Sequence, residues 1–308
     1  MESVLPRGVI SRMAAVAALC LSCSGDDDPS TTASHETSTA SSTKTSTGTS
    51  GGGTKGTESA SSGTASTSTA DSETDSTTET VEPCSRVHEG DLYVLDDSDL
   101  EGLADLGRVS GVLFIALKER EQPDLSFLSC LHTADIGLSI DYNNRLESTG
   151  GMINLSSVKN LTISNNDNLR AIEGFDKIKE LGYLEIDQNP MLEVVGLGAL
   201  ESVDTLIIGH CEGNTSAAYQ PALADLDGFS SLASVKWLIL EGNEALLSAG
   251  FLDSLIENGE GESLEAAVIR RNPLLPESDI LQKLDLLGVQ GTVCGNAEGD
   301  PECFCFVG

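Results

Sequence analysis

The chain has 308 residues, with 49 Asp and Glu against 17 Lys and Arg and a formal net charge of −32. Affinity for a phosphate backbone needs clustered cations, so this balance excludes a nucleic-acid binder. It equally excludes a polybasic grip on anionic lipid. Aromatic residues are only 4% of the chain, so the part that can build a core is well short of the whole.

The N-terminus opens with Arg7 and Arg12, followed by a short apolar run over residues 13–21. A bilayer span needs ~20 apolar residues, so this run fits the h-region of a secretory signal instead. Ser22 and Cys23 come next, then an acidic run from Asp26 to Asp28. The pattern resembles a bacterial lipoprotein signal, in which cleavage leaves a lipidated cysteine. The resemblance implies a signal peptide over 1–23, lipidation at Cys23, export, and an anchor at the outer membrane or cell surface. That family usually carries Leu three residues before the cysteine; here the position is Cys20, the rival lipidation site.

Residues 24–83 are more than half Ser and Thr, and Val81 is their only branched aliphatic side chain. Such a stretch cannot bury enough apolar surface to offset chain entropy. It reads as a disordered Ser/Thr/Gly-rich acidic tether with a mean span of ~40–45 Å. Residues 84–308 are the foldable part. They hold 38 acids against 13 bases, a formal −25, so the acidity belongs mainly to the folded domain.

A motif recurs there. Leu138 and Ile140 precede Asn143 and Leu146; Leu161 and Ile163 precede Asn166 and Leu169; Leu184 and Ile186 precede Asn189 and Leu192. Leu238 and Leu240 precede Asn243 and Leu246, and Ala267 and Ile269 precede Asn272 and Leu275. The template is L-x-I-x-x-N-x-x-L. A further copy at Leu206 and Ile208 has Cys211 in place of Asn. Weaker copies start at Leu92 and Leu113, the latter with Lys118 at the Asn position, and a degenerate last one holds Gly291, Val293 and Asn296.

The alternation predicts a short strand with one buried face per copy. The amide after it satisfies the backbone of a tight bend, and stacked amides bond from copy to copy: Asn143, Asn166, Asn189, Cys211 in the deviant rung, Asn243 and Asn272. Apolar residues at every third position complete each pass, such as Ile172, Phe175 and Ile178. The expected class is mainly β with some α: a parallel solenoid with one strand per coil, eight or nine coils at ~4.8 Å each. Two helices are expected, over 246–257 and 279–287, each followed by Gly.

This repeat resembles the leucine-rich-repeat-like L domains of cell-surface receptors and related bacterial surface proteins. Ordinary leucine-rich repeats place Leu two after the Asn; here it lies three after, as in the L-domain pattern. The resemblance covers residues 91–296 and implies a right-handed solenoid. Proteins of this fold bind polypeptides or carbohydrates, and fold alone does not fix function.

Besides Cys20 and Cys23 there are six cysteines. An exported protein permits disulfides, and solenoid ends lack a stacking neighbour. Cys84 with Cys130, and Cys294 with Cys303 or Cys305, are the pairings expected at the two caps; spacing alone does not settle them. His210 beside Cys211 is read as structural, because an inward cysteine is buried and inert. No nucleophile elbow, phosphate loop, zinc-helix motif or calcium loop is present, so no catalytic, cofactor or metal residues are assigned.

Alternation also says which residues face outward. Tyr183, Ile207, Trp237 and Ile239 are expected to cluster on one exposed face, beside an acidic edge with Asp141, Asp187 and Glu241. An aromatic patch marks a candidate ligand face. The insertion over 212–225 is the competing occupant of that patch. The leading expectation is a non-catalytic surface module for recognition or adhesion, with a protein or glycan ligand. The alternatives are a structural envelope spacer, or a polysaccharide-degrading enzyme using those carboxylates.

Overall fold

The computed structural model describes residues 84–118, 124–209, 222–259 and 264–299. Cys20, Cys23, the 24–83 tether, His210, Cys211, Cys303 and Cys305 lie outside the described residues, as does most of the 212–225 insertion. The described chain is mainly β, with parallel sheets and few helices.

Nine strands form the principal sheet: β1 (Leu92–Val94), β2 (Val112–Ile115), β3 (Gly137–Asp141), β4 (Asn160–Ser164), β5 (Glu180–Asp187), β6 (Ser202–Ile208), β7 (Ser234–Glu241), β8 (Ala266–Arg270) and β9 (Thr292–Cys294). Their order in the sheet is their order in the chain, and every neighbour is parallel. Each copy of the sequence motif therefore supplies one strand. The degenerate copies at both ends supply β1, β2 and β9.

The register follows the motif. Leu113, Leu138, Leu161, Leu184, Leu206, Leu238 and Ala267 are successive Cα partners. Ile115, Ile140, Ile163, Ile186, Ile208, Leu240 and Ile269 form the parallel column two residues on. All fourteen are buried. A slip of one residue would turn both columns outward, so burial fixes the register.

The return half of each pass is inward as well. Ile172, Phe175 and Ile178, then Leu197 and Leu200, then Leu226, Phe229 and Leu232 are all buried, as are Val203 and Val235 at the starts of β6 and β7. Part of this half forms a second parallel sheet from Arg86–His88, Leu106–Val109, Thr133–Ala134 and Ser157–Val158. Ala171–Ile172 pairs in parallel with Val194–Val195.

The amide ladder is the main polar feature of the interior. Asn143 Nδ2 donates to the carbonyls of Ile115 and Asp141, both at 3.0 Å, and to Asn166 Oδ1 at 3.1 Å. Asn166 and Asn272 repeat this scheme toward Asn189 and Asn296. The bend is made by a left-handed residue just before each Asn: Tyr142, Asn165, Gln188, Gly242, Arg271 and Gly295, with φ from 51° to 72°. The rung with Lys118 at the Asn position departs from this rule. There the left-handed residue is Lys118 itself, one place later. Asn243 Nδ2 donates to the Ile208 and Glu241 carbonyls and to Asn272 Oδ1, while its own Oδ1 has no hydrogen-bond partner among the described residues.

Two helices lie near the C-terminal end, α1 (Phe251–Asn258) and α2 (Glu277–Leu286). α1 starts later than the pattern suggested, because Leu246 is taken up by the bend after Asn243, where its N–H bonds the Asn243 carbonyl. Phe251, Leu252 and Leu255 of α1 and Ile280 and Leu284 of α2 are buried. Lys283 of α2 reaches Asp253 of α1 at 2.9 Å. Cys84 and Cys130 form a disulfide at the N-terminal end, as the spacing allowed. Cys294 is disulfide-bonded too; Cys303 and Cys305, its expected partners, lie outside the described residues.

Candidate functional site

The outward face of the principal sheet carries the candidate site. Three outward columns cross strands β5 to β7. In the first, Tyr183 is the Cα partner of Thr205, and Thr205 of Trp237. In the second, Glu185, Ile207 and Ile239 are partners. The third ends the strands and holds Asp187 and Glu241. The register thus brings Tyr183, Ile207, Trp237 and Ile239 together.

Exposure differs from the sequence expectation at one of the four. Tyr183, Trp237 and Ile239 are half-buried, whereas Ile207 is only 2% exposed. Ile207 points outward, between Glu185 and Ile239 in its column. The accessible part of the patch is therefore the Tyr183–Thr205–Trp237 row with Ile239. The Tyr183 hydroxyl donates to Glu185 Oε2 at 2.8 Å, which fixes the phenol beside a carboxylate.

The acidic edge also needs correction. Asp141, Asp187 and Glu241 read as exposed by alternation, yet all three are buried. Neighbouring strands and bends supply donors to them. Ser164 Oγ and Asn165 Nδ2 each donate to Asp141 Oδ1 at 3.0 Å. Gln188 Nε2 reaches Asp187 Oδ2 at 3.3 Å. Arg270, the column neighbour of Glu241, donates through Nη2 to Oε2 at 3.1 Å; its Nε stands 2.8 Å from Oε1 without the alignment of a hydrogen bond. Burial raises the Asp141 pKa above the ordinary Asp value by desolvating its charged form, and the bonds from Asn165 and Ser164 offset only part of that.

The Glu241–Arg270 pairing was readable in principle, since opposite charges occupy neighbouring rungs of one outward column. The covering of Asp141 by Asn165 was not, because it depends on the left-handed bend. Among the described residues, no group of three or more His, Cys, Asp or Glu is placed to hold a metal ion. Nor is any described helix long and apolar enough to cross a membrane. Comparison of the chain with protein-family models and with curated proteins finds no match in either.

Proposed function

We propose that this chain is a cell-surface lipoprotein presenting a non-catalytic module for recognition or adhesion. In this reading residues 84–308 form a right-handed parallel solenoid akin to receptor L domains, and Cys23 carries the lipid anchor. The Ser/Thr-rich segment 24–83 spaces the module from the membrane. Sequential parallel strands, one per motif copy, support the solenoid reading.

The observation that carries the functional reading is the Tyr183–Thr205–Trp237 row. It sets two half-buried aromatics in register on an outward sheet face. Aromatic residues of this kind dominate binding surfaces because they offer large apolar area at low entropic cost. The nearby carboxylates support binding over catalysis: Asp141, Asp187 and Glu241 are buried and engaged by neighbouring donors.

Full-length protein on membrane vesicles, tested against an array of glycans and peptides, examines the reading. The expected result is binding to one ligand class that Trp237→Ala abolishes while the melting temperature holds. Binding indifferent to Trp237, or no binding by folded protein, overturns it. Palmitate labelling of wild type and Cys23→Ser tests the anchor. Loss of label in the variant supports Cys23, and label that persists moves the anchor to Cys20.

A further inference from the structure

We infer that Asn258–Gly259 is a deamidation site held shut by the last turn of α1, so that its conversion to isoaspartate records the opening of that turn. The inference concerns the upkeep of the fold and stands apart from the recognition reading.

Asn258 is the only Asn in the chain that is followed by Gly. Asn-Gly is the dipeptide that deamidates most readily, because Gly has no Cβ to hinder ring closure. The Gly259 nitrogen attacks the side-chain carbonyl carbon of Asn258. A new C–N bond closes a five-membered succinimide, the C–NH2 bond breaks, and ammonia leaves with the proton that Gly259 gives up. Water then opens the ring at either carbonyl. One opening gives Asp; the other gives isoaspartate, with the backbone longer by one carbon. Nothing is oxidised or reduced, and water is the only co-reactant.

The fold restrains this reaction at the attacking atom. Asn258 is exposed as the last residue of α1, and Gly259 caps the helix. Water therefore reaches the side chain. The Gly259 N–H, however, donates to the Leu255 carbonyl at 3.0 Å. The helical ψ of Asn258 also holds its side-chain carbon away from the geometry of ring closure. Both restraints are lost together when the turn opens, and helix ends open at lower free energy than the core.

Packing accounts for the glycine. A Cβ at position 259 would run into the Leu255 carbonyl oxygen and lie 2.9 Å from that of Ala233. The close fit of the helix end thus imposes the reactive half of the dipeptide. The same fit makes conversion one-way in structure. Isoaspartate inserts a backbone carbon where not even a Cβ has room. Its carboxylate also adds an anion beside the exposed Glu257 at the C-terminal end of α1, where the helix dipole disfavours one.

Full-length protein is aged at neutral pH, and the peptide carrying Asn258 is followed by mass spectrometry and isoaspartate methyltransferase labelling. Conversion should be about tenfold or more slower in the folded than in the urea-unfolded chain. Below the urea midpoint it should rise in step with hydrogen exchange of the Gly259 amide. Leu255→Ala, which strips a buried contact from α1, should speed it, and Asn258→Gln should abolish it. Asn258→Asp, which carries the charge without the extra carbon, should melt above the isoaspartate form.

Equal rates in folded and unfolded chain overturn the inference, as does an unfolded chain that does not convert. Conversion in folded protein that takes no account of exchange at Gly259 overturns it as well. The wild-type urea series decides the matter if Leu255→Ala does not fold.

Discussion

Asn166 Oδ1 accepts both the backbone N–H and the Nδ2 of Asn143, at 3.0 and 3.1 Å. Asn166 donates in turn to Asn189 Oδ1 at 3.0 Å. One side chain thus satisfies the bend of its own pass and joins the passes on either side. Removing it takes away the donor to the buried Ile140 carbonyl and the half-buried Ser164 carbonyl, which its Nδ2 serves, and the acceptor for Asn143. Each buried polar group left unpaired costs ~1–3 kcal/mol. Asn166→Ala should therefore lower stability by about 3 kcal/mol or more, read as a lower urea midpoint at unchanged slope.

Asp141 makes stability depend on pH with a definite sign. Its folded-state pKa is raised above the ordinary value, chiefly by burial. Its contribution is therefore fully present below the ordinary Asp range, near pH 3.9, and is lost as pH rises through the folded value. At neutral pH the ionised carboxylate is a cost. Asp141→Asn keeps an oxygen to accept from Ser164 and Asn165 and should melt higher than wild type at pH 7. Thermal melts from pH 7 to 3 should show that advantage shrinking to nothing on the acid side.

The Glu241–Arg270 pair is shielded, with side chains 1% and 11% exposed. Breaking such a pair strands a buried charge and costs ~3–5 kcal/mol, whereas replacing both partners with apolar groups restores most of it. Arg270→Ala should fall in that range, and Arg270→Met with Glu241→Leu should recover the greater part by chemical denaturation. Lys179→Ala removes the pair with Glu201, whose side chains are more than half exposed, and should leave the midpoint unmoved.

The Cys84–Cys130 disulfide closes 46 residues of chain at the N-terminal end of the sheets. Loop entropy for that length corresponds to ~4 kcal/mol of destabilised unfolded chain. The Cys84→Ser, Cys130→Ser double variant should lose stability of that order. Hydrogen exchange should show the loss concentrated in Arg86–His88 and Leu106–Val109, which β1 and β2 accompany.

Much of this arrangement could be read from spacing. The Leu and Ile columns, the Asn rungs and the last pass at Asn296 all follow from period-two alternation and a fixed interval to the amide. Strands such as Thr133–Ala134 and Ser157–Val158 are two residues long, too short for alternation to register, so the second sheet was not foreseen. The candidate face was legible as a set of columns but not in its exposure. Alternation tells which way a side chain points, not what covers it. Ile207, Asp141, Asp187 and Glu241 all point outward, and all are buried.

Trp237 and Leu238 are adjacent in β7 but face opposite ways, Leu238 into the core at 1% exposure and Trp237 onto the half-buried outward row. The most direct test of the recognition account is array binding and thermal melting of Trp237→Ala beside Leu238→Ala. Leu238→Ala should cost ~2–5 kcal/mol as a core truncation. Trp237→Ala should melt within a few degrees of wild type and lose ligand binding. A Trp237→Ala protein destabilised as much as Leu238→Ala, whose folded fraction still binds as wild type does, would contradict the account.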